Sequence, residues 1–224
     1  MATFVIVHGA FGGGWEWREV ARLLQAEGHE VVRPTLTGLG ARSHLATATV
    51  DLEAHVEDVV QHLEFDDLRD VVLVGHSYGG MVVTGAADRV PERIERIVYV
   101  DAFVPQDGES LFDLAGPEVT GFLRGSAVDG LVPPPGDTPA QYPAWYVERS
   151  RPHPLACFEK PIRLEGRGEA IPRSYVKCLQ SDVPLDRSVA RAREAGWTMA
   201  EIDTHHDPQL ANPAQIARLL DAAT

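Results

Sequence analysis

The chain has 224 residues, of which 33 are Asp or Glu and 20 are Lys or Arg, giving a formal net charge of -13. A surface this negative on average repels phosphate backbones and anionic headgroups, so neither nucleic acid nor a membrane surface is expected as a partner. Hydrophobic residues at 44% and charged residues at 24% suit a folded globular chain, and no stretch reaches the roughly 18 apolar residues of a membrane span.

Phe4-Val5-Ile6-Val7 is a continuous apolar run stopped by His8-Gly9, the pattern of a parallel strand covered on both faces. Helical spacing follows from Trp15 to Glu27, then the β-branched pair Val31-Val32, then a second helical stretch from Leu52 to Leu63. Val71 to Val74 is the most apolar strand, Tyr78 to Asp88 reads as a helix, and Ile97 to Val100 as a further strand. After a long interval come Tyr175-Val176, a helix at Val189 to Ala195, a weaker strand at Thr198 to Ile202, and a last helix from Pro213 to Ala222 with Asn212 as its N-cap. Strands alternating with helices predict an α/β fold with a doubly wound, mostly parallel sheet.

Between Pro105 and about Gly168 the alternation fails. No strand signal is visible there, and Pro117, Pro133 to Pro135, Pro139, Pro143, Pro152, Pro154 and Pro161 interrupt any long helix. Leu111, Phe112, Phe122, Trp145, Tyr146 and Phe158 are too apolar for a solvated linker and need a surface to pack on. The expected organisation is one core domain from 1–104 and 169–224, with 105–168 as a small Pro-rich cap over the carboxyl edge of the sheet.

Gly75-His76-Ser77-Tyr78-Gly79 fits G-x-S-x-G and sits between the most apolar strand and a helix, the setting of a nucleophile elbow. Side chains at Gly75 and Gly79 would collide where strand and helix close around a strained serine. A serine nucleophile needs N–H donors for the developing oxyanion. Candidates are the Tyr78 N–H and a donor in the loop His8-Gly9-Ala10-Phe11-Gly12-Gly13-Gly14. That loop lacks the G-x-G-x-x-G spacing and the later acidic residue of a dinucleotide cradle.

His8-Gly9-Ala10, the elbow and the late His206-Asp207-Pro208 resemble the α/β-hydrolase fold family in the same order along almost the whole chain. More narrowly, Pro34-Thr35-Leu36-Thr37-Gly38-Leu39-Gly40 and Tyr99-Val100-Asp101-Ala102-Phe103-Val104-Pro105 resemble the compact-cap esterases related to plant methylesterases, pyrethroid-type carboxylesterases and hydroxynitrile lyases. The resemblance implies Ala10 and Tyr78 as oxyanion-hole donors and His206 as general base, with the adjacent His205 as its rival. It leaves the orienting acid between Asp101, which is preferred, and Asp182, because Ser181 occupies the place where many relatives carry an aspartate.

The expected activity is cleavage of a carboxylic ester of a small hydrophobic or aryl molecule through an acyl-enzyme on Ser77. No cofactor is expected. No metal is expected either, although His205, His206 and Asp207 form a conceivable ligand group. Hydroxynitrile-lyase-like chemistry and non-catalytic binding on the same fold stay as alternatives; against the lyase, Gly9 stands where those relatives carry threonine and Asp207 where they carry lysine. The expected location is the cytoplasm, and a homodimer is allowed but not required. His55 is expected as a surface or core-edge histidine, Arg42 and His44 carry no assigned role, and Trp15 and Trp17 are expected to pack the first helix.

Overall fold

Each apolar run of the core becomes a strand buried from two sides. The computed structural model describes residues 1–136 and 142–224, so Pro139 lies outside the described residues. Strand β1 (Thr3–Val7) pairs in parallel with β2 (Glu30–Val32) on one side and with β3 (Val71–His76) on the other. The sheet continues through β4 (Ile94–Val100), β7 (Arg173–Cys178) and β8 (Thr198–Ile202), giving the order β2-β1-β3-β4-β7-β8 with every pairing parallel.

Alternation explains why these strands read as unbroken apolar runs. Val5, Val7, Val71 and Leu73 enter one core layer, beneath α2 (Leu52–Phe65), α3 (Gly79–Arg89) and α7 (Asp186–Glu194). Phe4, Ile6, Val72 and Val74 enter the other, beneath α1 (Arg18–Ala26) and α9 (Pro213–Asp221), the latter preceded by the one-turn α8 (Pro208–Ala211). Both faces are dry, so no position from Phe4 to Val7 or from Val71 to Val74 favours a polar side chain. Asn212 caps α9 as expected, its side chain accepting from the Gln215 N–H at 3.1 Å, a contact worth about 1 kcal/mol.

The stretch between β4 and β7 differs from expectation by containing strands. β5 (Leu131–Val132) and β6 (His153–Pro154) form a two-residue antiparallel ladder, too short to leave a periodic signal. Helix α4 (Leu111–Ser126) is broken where Gly116 adopts φ +83° ahead of Pro117, so the prolines do interrupt the longest helix there. Two short helices, α5 (Ala144–Arg149) and α6 (Ala156–Glu159), complete the segment. Phe112, Val132 and Phe158 join the first core layer, so the insertion shares the core of the sheet.

Two backbone contacts tie this segment to the loop after β1: Arg151 N–H donates to the Phe11 carbonyl at 2.8 Å, and Phe11 N–H donates to His153 Nδ1 at 3.2 Å. Trp17 packs under α1 as expected. Trp15 does not; its ring meets Trp145 and Tyr146 of α5 instead, because the 3-10 turn at Gly14–Trp17 points successive side chains in different directions. Among the described residues no helix is long and apolar enough to cross a membrane.

Candidate active site

The loops at the carboxyl ends of β1, β3, β4 and β8 converge where the strand order reverses, the position at which open α/β sheets hold ligands. Ser77 follows β3 directly, with φ +53°. A β-carbon on Gly79 would lie 2.6 Å from the Val7 carbonyl oxygen, and one on Gly75 2.6 Å from Val83, so both glycines are required by close approach. The strained serine is held from both sides: its N–H donates to the Val100 carbonyl at 3.3 Å, and its carbonyl accepts from Gly80 at 3.0 Å and Phe103 at 3.1 Å. Such a conformation costs about 1–3 kcal/mol and persists because its neighbours over-determine it.

Asp101 repeats the device at the end of β4. Its φ is +42°, its N–H donates to the Val176 carbonyl at 2.8 Å, and its Oδ1 accepts from the Cys178 N–H at 3.1 Å. The Tyr175 hydroxyl both accepts from the Ala102 N–H and donates to the Ala102 carbonyl, each at 3.0 Å, fixing the next peptide. The remaining oxygen, Oδ2, accepts from His206 Nδ1–H at 2.7 Å. With Nδ1 protonated, His206 Nε2 is the acceptor for the Ser77 Oγ hydroxyl at 2.8 Å.

The structure therefore brings Ser77, His206 and Asp101 into one chain of hydrogen bonds. Asp182 stands at the rim of the same cavity and acts on His206 through its charge, while Ser181 Oγ lies 3.5 Å from His206 Nδ1. His205 turns away: its Nδ1 accepts the Asp207 N–H, and its ring meets Tyr142. Ala10 borders the cavity, and neither its N–H nor that of Tyr78 donates to an acceptor among the described residues. Burial alone would lower the pKa of His206, but the hydrogen bond to Asp101 and the charges of Asp207, Asp101 and Asp182 outweigh it and raise the pKa above 6.5.

Several residues in the site escaped sequence reading. His76, the variable position of the elbow motif, donates from Nε2 to the His206 carbonyl at 2.9 Å, and the two rings lie 4.8 Å apart. Burial lowers its pKa to about 4, so it is a neutral prop for the backbone of His206. Glu16 is also buried in the cavity wall; loss of solvent and the charge of Asp207 push its carboxyl well above the usual range. A buried acid inside the stretch of helical spacing from Trp15 to Glu27 leaves no signal that separates it from a surface residue.

His55 corrects an expectation. It is fully buried rather than at a surface or core edge, with Nε2–H donating to the Thr37 carbonyl at 2.8 Å and Nδ1 accepting the Tyr78 hydroxyl at 2.9 Å. Its helical spacing put it on the apolar face of α2, and a partner on another element made that burial tolerable. Arg42 pairs with Asp58 at 2.9 Å and holds the loop that follows β2.

The cavity above Ser77 has a volume of about 460 Å³. A larger groove of about 790 Å³, between Asp88, Tyr99, Arg173 and Trp197, touches none of Ser77, His206 and Asp101. Among the described residues two groups could offer three metal-ligand atoms each, His55 with His153 and Cys157, and Glu16 with His76 and Asp207.

A strand-elbow-helix serine on a parallel sheet, with a histidine and an aspartate from later strand ends, defines an esterase-type α/β hydrolase. The chain belongs to the alpha/beta hydrolase family, whose pattern it matches over residues 4–219. It is 40% identical over 240 aligned positions to the carbendazim hydrolyzing esterase of Nocardioides sp. (strain SG-4G), covering 99% of each chain. It is 37% identical over 108 positions to methylesterase 8 of Arabidopsis thaliana, covering 48% of this chain and 40% of that one. Among solved structures it resembles an extracellular α/β-hydrolase from a Paenibacillus species, described as sharing structural and functional homology with tobacco salicylic acid binding protein 2. The TM-score is 0.88 at 28% identity, over 100% of this chain and 99% of the other.

Proposed function

We propose that the protein is a serine carboxylesterase that forms an acyl-enzyme on Ser77. The observation that carries this reading is the continuous chain from Ser77 Oγ through His206 to Asp101, at 2.8 Å and 2.7 Å. His206 Nε2 removes the Ser77 proton as Oγ attacks the ester carbonyl, and the resulting imidazolium returns it to the leaving alcohol. Asp101 keeps the imidazole in the tautomer that exposes Nε2 as a base and stabilises the imidazolium. The Ala10 and Tyr78 N–H groups receive the oxyanion, and water, activated by the same histidine, releases the acid.

The substrate class we propose is an ester of a small hydrophobic or aryl molecule. A cavity of about 460 Å³ edged by Phe11, Tyr142, Tyr146 and Val183 supports it, as does the similarity to an esterase that hydrolyses carbendazim. Residues 105–168 act in this proposal as the cap, because Tyr142 and Tyr146 complete the wall that the sheet loops leave open. Lyase chemistry is disfavoured by Asp207, an acidic neighbour of His206 where a leaving cyanide needs a cation.

The test is hydrolysis of p-nitrophenyl esters of graded chain length, with carbendazim beside them, by the wild type and by Ser77→Ala. Turnover by the wild type and its near-complete loss in the variant are expected. Equal rates from both proteins would overturn the role of Ser77, and tight binding of an ester without turnover would replace the enzyme with a binding protein.

A further inference from the structure

A buried acid stands behind the histidine that bonds to Ser77. Glu16 is 3% exposed, and a carboxyl oxygen of Glu16, a ring nitrogen of His76 and a carboxylate oxygen of Asp207 lie within 4.8 Å of one another. The loop after β1 makes room for it. A β-carbon on Gly12 would overlap Glu16 Oε1, and Gly12 has no positive φ that would itself ask for glycine. Glu16 N–H donates to the Gly13 carbonyl at 3.1 Å, so the acid is fastened to the loop that carries Ala10.

Counting donors and acceptors shows where a proton belongs. Glu16 Oε1 and His76 Nδ1 are both buried and have no hydrogen-bond partner among the described residues. His76 Nε2–H already donates to the His206 carbonyl at 2.9 Å, so the neutral ring presents a lone pair at Nδ1. Two adjacent acceptors repel, and each one left unpaired has lost its water without return. One proton between them pairs both.

Glu16 is the member that carries it. Burial would lift the Asp207 carboxyl too, but the imidazoles of His76 and His206 and hydrogen bonds from Tyr142 (2.7 Å) and Gln209 (2.9 Å) hold it below the usual range. A second buried carboxylate beside that anion is disfavoured, and burial keeps the His76 ring neutral.

We propose that Glu16 is a positioning residue for His206: its carboxyl O–H donates to His76 Nδ1, and His76 Nε2–H donates in turn to the His206 carbonyl. The relay runs from the loop that holds Ala10, through the last residue of β3, to the backbone of the general base. It steadies the His206 ring from behind while Asp101 and Ser77 hold its two nitrogens. No proton leaves the relay during turnover; Glu16 supplies a fixed donor and no charge. The effect on turnover rests on the esterase reading, whereas the hydrogen bond does not.

Infrared and nitrogen-15 NMR spectra read that bond without substrate. At pH 7 the wild type should show the carbonyl stretch of a buried, protonated carboxylic acid, lost in Glu16→Gln. The His76 Nδ1 resonance should be that of a neutral, hydrogen-bonded acceptor, and should move to the unbonded position in Glu16→Leu. With p-nitrophenyl esters, Glu16→Leu should lower kcat about tenfold, and Glu16→Gln, whose amide N–H replaces the donor, should stay within about threefold of the wild type. An acid that merely fills space would give equal losses in both variants, in step with their melting temperatures, and would overturn the proposal. So would absence of the acid band, a doubly protonated His76, or binding of Zn(II) by this trio in calorimetry on the EDTA-treated protein. Gln209 Oε1 is a second unpaired acceptor on the neighbouring groove that Glu16 also lines. A proton held there instead would leave His76 Nδ1 unmoved in Glu16→Leu, and the relay would fall. If Glu16→Leu does not fold, the wild-type spectra and Glu16→Gln still decide. Absence of ester turnover in the wild type would count against the esterase reading and leave the spectra to judge the hydrogen bond.

Discussion

The elbow at Ser77-Tyr78 separates two histidine groups with opposite chemistry. On the cavity side, His206 is hydrogen-bonded to Asp101 and its pKa is raised. On the far side, His55 and His153 pack against the Tyr78 ring with Cys157, among apolar neighbours. Burial lowers the pKa of His55 to about 4 and holds that of His153 well below the usual imidazole range, and burial lifts the Cys157 thiol. Burial thus acts alike on the buried imidazoles of His55, His76, His153 and His206, and the carboxylate hydrogen-bonded to His206 sets that one apart. The dry group is structural: it ties the elbow through the Tyr78 hydroxyl, and the loop after β1 through the Phe11 N–H, to α2 and to the inserted segment.

The sharpest way to break this division is to remove the nucleophile. Ser77→Ala should lower kcat by about 10⁶ while the protein stays folded, read as p-nitrophenyl ester turnover beside a thermal melt. Next in size, Asp101→Asn should cost about 10⁴ in kcat because the wrong tautomer faces Ser77, whereas Asp182→Asn should cost less than about tenfold. A reversed ranking would move the orienting role to Asp182. The pH profile carries the same information. His206 must be neutral to act, so the acid limb of kcat/KM should lie above pH 6.5 in the wild type and fall to lower pH in Asp101→Asn.

Stability should respond to pH through the other histidines. His8, His55 and His76 have folded pKa values of about 4 against 6.5 when unfolded, so the unfolded chain takes up their protons first. Each should withdraw about 3 kcal/mol as pH falls from 6.5 towards 4. His206 works in the opposite sense: its contribution is fully present below pH 6.5 and is lost as pH rises through its folded value. Urea titrations between pH 7 and 4 should show a steep loss; a flat profile would mean these imidazoles find water when protonated. The smallest effect expected is that of Tyr78→Phe, which leaves His55 Nδ1 without its donor at a cost of about 1–3 kcal/mol, with kcat changed far less than by Asp101→Asn.

The sheet was legible in the sequence because β1, β3 and the Ile97–Val100 part of β4 are buried on both faces, so their apolar runs are unbroken. The elbow was legible for a related reason: only glycine fits at 75 and 79, and that requirement is written in the residue type. What could not be read depends on contacts between distant segments. His76 and Glu16 gain their roles from the His206 backbone and from Asp207, over a hundred residues away in sequence, and nothing local marks them. The choice between Asp101 and Asp182 is likewise a matter of where β7 places its ends. The two-residue ladder of β5 and β6 exists because tertiary contacts hold it, as His153 shows by bonding to Phe11.

Ser77 and His206 are 129 residues apart along the chain, and His206 and Asp101 are 105 apart. His206 arrives on the loop after β8, the edge strand, which pairs only with β7. Non-local strand pairing is slow because chain closure must be met before the contacts reward it. Catalysis is therefore a clock for the final stage of assembly: during refolding, ester turnover should return only once the last edge is seated, after helices and central strands have already formed.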